Sequence, residues 1–246
     1  MRYLGTVAYL GTAYHGFERQ KGFRTIQGEL DRAVSIVLNK ETKVHGAGRT
    51  DAGVHAKGQR FAFDSKRFLD LSKTINGINK ALEKDIRVTN LIQVNDDFDV
   101  RRDAVAKRYS YTFHVGTSNP LELPLVSQIE CKLFDMDKFI LCIEKFKGKH
   151  NFNAFTSKES DPFGYIRTIY DIKVEKGDNT KVVFVGDGFM RYQVRFMIGA
   201  SFKVAQGSLS LEEVDALLDG GKRPKTLFAA PPNGLVLEEV YYEKIY

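Results

Sequence analysis

Apolar and polar residues alternate over residues 2–10, a stretch rich in Tyr, Val and Leu, and this period of two predicts a β-strand that Gly11 ends. The period then lengthens. Ile26, Leu30, Ala33, Val34, Val37 and Leu38 fall on one face of a helix, and Thr25 stands where a capping hydroxyl is needed. A loop with Gly46, Gly48 and Gly53 precedes a strand over 59–63. Leu71, Ile75, Ile78 and Leu82 return to helical spacing, and a short strand over 86–94 closes the first half.

The second half opens at 107–115. Tyr109, Tyr111, Phe113 and Val115 share one face there, and Ser110, Thr112 and His114 the other. Asp135 caps a predicted helix carrying Phe139, Ile140, Ile143 and Phe146, with Gly148 as its stop. Strands over 166–175 and 181–185 flank the turn signal Lys176-Gly177-Asp178-Asn179. A helix over 191–205 follows. Ser210 and Glu213 form a capping box for another helix, which Gly220 and Gly221 end, and a strand over 235–242 comes last. Helices interspersed with hairpins predict an α+β protein with a mainly antiparallel sheet. Two lobes of similar size are expected, 1–105 and 106–246, with their junction near 98–106.

Composition narrows the picture only a little. The 246 residues, 43% of them hydrophobic, suffice for a sizeable core. A net charge of +6 fits a polyanionic partner such as nucleic acid, though many unrelated proteins share it. Cys131 and Cys142 form no CxxC pair. Cys142 lies on the same helical run as Phe139, Ile143 and Phe146 and reads as a core thiol, so a disulfide framework is excluded. None of the five histidines has metal-site spacing. No targeting pattern or membrane-length apolar run is present. The expectation is a cytoplasmic protein with no membrane partner.

The segment that carries chemistry is Gly46-Ala-Gly-Arg-Thr-Asp-Ala-Gly-Val-His55. Its glycines permit sharp turns or close approach to a ligand. Arg49 has the charge to hold a phosphate, and Asp51 the carboxylate to act as nucleophile or base. Taken alone, the segment reads first as a tight surface turn with an incidental acid. Likewise Tyr109, at the start of an aromatic strand face, reads by itself as a core residue, and His55 as a hydrogen-bonded structural histidine. Arg195 abuts the apolar stripe of Val194, Met197, Ile198 and Val204. Arg191, four residues earlier, would repel it unless an anion lay near. A buried acidic partner for Arg195 is therefore expected, with Asp51 as the candidate. Arg101, Arg102, Lys107 and Arg108 make one basic cluster; Arg19, Lys21 and Arg24 make another.

GRTDAGVHAKGQ closely resembles the signature of the TruA family of tRNA pseudouridine synthases. Further blocks resemble the family in order: GTAYHGFERQ (11–20), TIQGELDRAV (25–34), INGINKALEKDIRV (75–88), FDVRRDAVAKRYSYTF (98–113), HNFNAFTS (150–157), RTI (167–169), GFMRYQVRFMIGA (188–200) and APPNGLVLEEVYY (230–242). The resemblance implies the pseudouridine synthase fold, two α+β lobes on a continuous sheet with the site in the cleft between them. It implies a cofactor-free homodimer that modifies uridines at positions 38–40 of the tRNA anticodon stem-loop. Asp51 matches the essential aspartate, Tyr109 the tyrosine that packs on the target base, Arg195 the basic partner of the aspartate, and Arg49 the arginine that helps hold the flipped nucleotide. Beside such a pocket, Arg101, Arg102, Lys107 and Arg108 become a candidate phosphate-binding edge, and Arg19 and Arg24 candidate contacts to the tRNA stem. Three positions depart from the family pattern in the first loop: Leu10 for Asp, Phe17 for Trp and Glu18 for Gln. A fourth, Gln193, stands where Met is common. A Glu among phosphates is unfavourable unless it is paired.

Overall fold

The computed structural model describes residues 1–117, 119–157 and 164–243, and among these are ten strands and five α-helices. The chain divides into two compact units. The first comprises residues 1–105 and takes back the chain from 236 onward; the second comprises 106–235. The returning strand, expected with the second lobe, groups with the first, because chain order says nothing about a strand that pairs far from its neighbours. Residues 244–246 of that expected lobe lie outside the described residues.

The first unit is built on β1 (Arg2–Tyr9), which pairs antiparallel with β3 (His55–Asp64) on one side and β4 (Ile86–Val94) on the other. Tyr3 lies opposite Phe63, their rings stacked at 5.7 Å. A two-residue strand, β2 (His45–Gly46), adds to β3 antiparallel. The returning β10 (Leu235–Tyr241) adds to β3 in parallel, Val236 opposite His55 and Leu237 opposite Ala56. The β1–β3 register shifts between Val7 and Tyr9, where the extra residue lies on β3 between Ala56 and Gln59, so a bulge bends the start of β3 beside the end of β1. Helices α1 (Ile26–Leu38) and α2 (Leu71–Ala81) cover the sheet. Ile26, Leu30, Ala33 and Val34 are buried as their spacing predicts. Thr25 accepts from the Gly28 N–H at the start of α1, and Asp70 from the Lys73 N–H at the start of α2. Asn39 closes α1 in the left-handed conformation, φ 51°.

The second unit runs β5 (Ala106–Val115), β9 (Thr180–Gly186), β8 (Ile166–Glu175) and β7 (Gly148–Asn151), each antiparallel to the next, with β6 (Ser127–Ile129) parallel to β5. Gly148, expected only to stop a helix, opens β7 at φ 108°. The core is aromatic. Phe113 meets Phe139 and Phe202 at 5.0 Å each, tying β5 to α3 (Met136–Glu144) and α4 (Gln193–Ala205). Cys142 is buried there, and burial pushes its thiol up to about 11. No helix among the described residues is long and apolar enough to cross a membrane.

Helix α5 (Leu211–Leu218) begins with both halves of the capping box: the Glu213 N–H donates to Ser210 Oγ at 3.2 Å, and the Ser210 N–H to Glu213 Oε2 at 2.7 Å. Ser210→Ala removes the acceptor of the Glu213 N–H, while the main-chain N–H at 210 keeps Glu213 as its acceptor. The variant's urea unfolding midpoint should fall by an amount equivalent to about 1 kcal/mol, with an unchanged denaturant slope.

Candidate active site

The loop between β2 and β3 carries Arg49 and Asp51, and it is pinned from several sides within the first unit. The Ala47 N–H donates to the Arg60 carbonyl at 2.9 Å, extending β2 by one bond. Gln59 Nε2 donates to the Gly48 carbonyl at 3.0 Å. Thr50 is held through its hydroxyl and its carbonyl. Its Oγ1 lies 2.8 Å from the Tyr9 hydroxyl, and its carbonyl accepts from the Phe17 N–H at 3.0 Å. The Asp51 carbonyl accepts from the Val54 N–H at 3.1 Å, turning the chain under the aspartate at Gly53, φ 78°. The aspartate is therefore presented at the head of a tight turn, half-buried.

Two glycines make this possible. Gly16 has φ 89°, and a Cβ there would sit 2.7 Å from the Thr50 carbonyl oxygen and 3.3 Å from the Asp51 carbonyl carbon. Only a residue without a side chain lets 14–17 lie against 50–52. Gly11 packs its backbone directly on the Val54 carbonyl in the same way, and its N–H donates to His55 Nδ1 at 3.0 Å. That bond fixes His55, 1% exposed, as a neutral ring protonated on Nε2, which is the structural role its sequence context suggested. Tyr9, 4% exposed, is pushed well above the usual phenol range by burial, so its hydroxyl stays neutral against Thr50. Tyr9, Gly16 and Gln59 were not singled out from the sequence as parts of the site. Their bonds to the loop are long-range, and only the glycine content of residues 11–16 hinted at close approach.

Arg49 is exposed, and its guanidinium forms an ion pair with Glu18. Glu18, unfavourable among phosphates unless paired, has as its partner the arginine two residues before Asp51. The neighbouring basic residues are also engaged. Arg19 bonds Asp31 at 2.7 Å; Arg24 bonds Glu29 at 2.9 Å and lies 4.7 Å over the Tyr14 ring. Arg101 and Arg102 are exposed on the turn before β5, their N–H groups donating to Asp99 Oδ1, with Arg102 also 3.3 Å from Asp103. Lys107 and Arg108 are half-buried at the start of β5.

The second unit holds the other expected residues. Tyr109 is buried on β5, its ring edge-on to Phe189 at 5.1 Å. Tyr111, two residues on and so on the same face, donates to the Pro231 carbonyl at 2.9 Å. Arg195 Nε donates to the adjacent Ala230 carbonyl at 2.6 Å, and the Ala230 N–H returns to the Arg195 carbonyl at 2.9 Å. The Arg195 charge reaches the Tyr111 phenol, where it opposes the upward shift that burial imposes. Gly199, one turn along, gives the Phe228 carbonyl room that a Cβ would fill. Arg195, Tyr111 and the 228–231 segment thus form one assembly around Tyr109's strand.

One expectation is corrected here. The helix was to include Arg191, with like charges four residues apart. Instead α4 begins at Gln193, and Tyr192 precedes it in the left-handed conformation, φ 64°. Arg191 is outside the helix, and both guanidiniums pack on the Tyr192 ring, at 5.1 Å and 4.8 Å. The negative ring face accommodates the two cations where helical spacing alone would set them against each other.

Among the described residues, no group of three or more His, Cys, Asp or Glu side chains is placed to hold a metal ion. The profile of a family described as tRNA pseudouridine synthase matches residues 6–103 and 142–243. These spans contain the Asp51 loop and Arg195; Tyr109 lies between them. The chain is 36% identical to tRNA pseudouridine synthase A of Streptococcus mutans over 249 residues, covering 99% of both chains. It is 36% identical to the enzyme of that name in Mycoplasma genitalium, again covering 99% of both, and 32% identical to one from Staphylococcus aureus, covering 99% of this chain and 92% of that one. Among solved structures, an archaeal box H/ACA sRNP Nop10–Cbf5 complex aligns over 81% of this chain and 44% of that chain at 14% identity, with a TM-score of 0.36. The two α+β units, with a carboxylate loop in one and an arginine–tyrosine assembly in the other, thus belong to an isomerase. The chain is a member of the tRNA pseudouridine synthase family.

The clamp on the loop is testable. Gly16→Ala forces a left-handed alanine against Thr50 and should lower stability by about 1–3 kcal/mol in urea titration. Assayed at a temperature where it remains folded, the variant should still lose pseudouridine formation, because Asp51 is displaced.

Proposed function

We propose that the chain isomerises uridine to pseudouridine at positions 38–40 of the tRNA anticodon stem-loop, with Asp51 as the catalytic carboxylate. The observation that carries this reading is the clamped turn that presents Asp51 within a segment matching the family. Reaction at a base inside a stem requires the nucleotide to leave its stack, so the target uridine is flipped out before chemistry begins.

The reaction breaks the bond between N1 of uracil and C1′ of ribose and makes one between C5 and C1′. C5 loses a proton and N1 gains one, so atoms and electrons balance with no oxidant, reductant or group carrier. An ionised carboxylate serves each route to bond cleavage: attack at C1′, attack on the base, or removal of the 2′-proton. Ionisation in a partly desolvated site is favoured by a nearby cation, and Arg195 is proposed for that role. The detached uracil must be held while it turns. The ring of Tyr109 suits this task, since stacking of a base on an aromatic side chain is worth about 1–3 kcal/mol. Arg49 is proposed to hold the flipped nucleotide through its phosphate. Arg19, Arg24, Arg101, Arg102, Lys107 and Arg108 are proposed to contact the tRNA body. The family resemblance supports a homodimer acting in the cytoplasm.

Two measurements test the reading. Carbodiimide primer extension on unmodified tRNA should give new stops at positions 38–40 with the wild-type protein. Asp51→Asn keeps the shape of the side chain and removes its charge, and should slow their appearance by about 10³-fold or more. Full activity in that variant would refute the assignment of Asp51. For Tyr109, replacement by Leu should lower kcat/KM about tenfold or more through lost stacking, whereas replacement by Phe should retain most of it. Equal, large losses in both would instead assign the phenolic hydroxyl a direct part in proton transfer.

A further inference from the structure

Glu18 and Arg49 stand on segments whose backbones are fixed before any RNA arrives. Phe17 is bonded through both main-chain groups: its N–H donates to the Thr50 carbonyl at 3.0 Å, and its carbonyl accepts from the Gln27 N–H at 2.8 Å. On the other side of Glu18, the Arg19 N–H donates to Gln27 Oε1 at 3.2 Å, while Gln27 Nε2 donates to the Val44 carbonyl at 2.9 Å. The Phe17 ring fills the space that Gly46 leaves open. With Phe17 bonded to Thr50, the next residue back along the loop, Arg49, faces the next residue forward, Glu18. Their side chains form an ion pair while remaining 62% and 43% exposed. An exposed pair is held weakly and is readily displaced.

We propose that Glu18 is a displaceable counter-ion for Arg49, its carboxylate occupying the place that an RNA phosphate takes when substrate binds. Guanidinium binds carboxylate and phosphate through the same N–H donors, so a single Arg49 cannot fully serve both. Binding therefore exchanges one intramolecular ion pair for one intermolecular pair and leaves Glu18 to recruit a cation from solution. Arg49 then contributes little net counter-ion release in this protein, although it touches phosphate. With a neutral residue at 18 no carboxylate is left to take up a cation, and the cation that Arg49 displaces from the phosphate is released in full. Glu18 acts through Arg49 and is a positioning residue. The inference rests on the RNA-modifying reading above for its ligand.

The test compares wild type, Glu18→Gln, Arg49→Ala and the double variant in equilibrium binding to unmodified tRNA across a salt series, with initial rates of pseudouridine formation alongside. Glu18→Gln should bind several-fold more tightly at low salt. Its plot of log affinity against log salt should steepen by about 0.7–0.9, one added cation contact. KM should fall with kcat nearly unchanged. In the Arg49→Ala background the same change should have a markedly smaller effect on affinity and slope. An unchanged slope in Glu18→Gln, weaker binding, or an equal gain with and without Arg49 would each overturn the counter-ion role. Wild-type protein that binds tRNA with this pattern but forms no pseudouridine would refute the proposed function and leave the counter-ion role standing. Absence of tRNA binding would overturn both.

Discussion

Thr50 is the residue on which the shape of the Asp51 loop depends. A carboxylate at the head of a turn would sample many positions if the turn were secured only at its two strand ends. Here Thr50 is bonded to Tyr9 from the sheet and to Phe17 from the preceding loop, and Asp51 inherits their rigidity. The Tyr9–Thr50 bond is buried, where a hydrogen bond is stronger and its loss leaves unsatisfied groups. The approach of Gly16 makes the arrangement compact enough to exclude intervening side chains. The bulge in β3 lies in the same place, opposite the step from Val7 to Tyr9 and next to the start of the strand that follows the loop.

The arginines are managed in ways that differ with burial. Exposed Arg19, Arg24 and Arg49 pair with carboxylates that leave them accessible to water. Half-buried Arg195 donates to a backbone carbonyl and lies on an aromatic face, and both contacts orient its guanidinium.

Much of the fold was legible in the sequence because its signals were local. Thr25, Asp135 and Ser210 cap helices with side chains adjacent in the chain, and the 3.6-residue spacing of Ile26, Leu30, Ala33 and Val34 marked a face that is buried. What escaped was decided by distant partners or by single backbone angles. Tyr192 in a left-handed conformation shortens α4 by two residues at its start, and nothing in the pattern RYQVRF forbids a helix there. Of the site, the loop and its acid were identified through the match to a family signature, since glycine and aspartate content alone describe an ordinary turn. The Tyr9, Phe17 and Gln59 contacts span eleven to forty-one residues or belong to separate elements, so they have no sequence period to reveal them.

The parallel pairing of β10 with His55 and Ala56 bears on how the protein is made. On the ribosome, β1, β3 and β4 emerge early and can pair, yet the strand that flanks the foot of the Asp51 loop lies beyond the whole second unit. Synthesis of those intervening residues, 106–235, takes on the order of ten seconds at ordinary elongation rates. Throughout that interval the stretch of β3 next to the Asp51 turn presents open backbone groups. The Asp51 end of the first unit is thus completed only after the second has been synthesised, which couples assembly of that loop to synthesis of Tyr109 and Arg195.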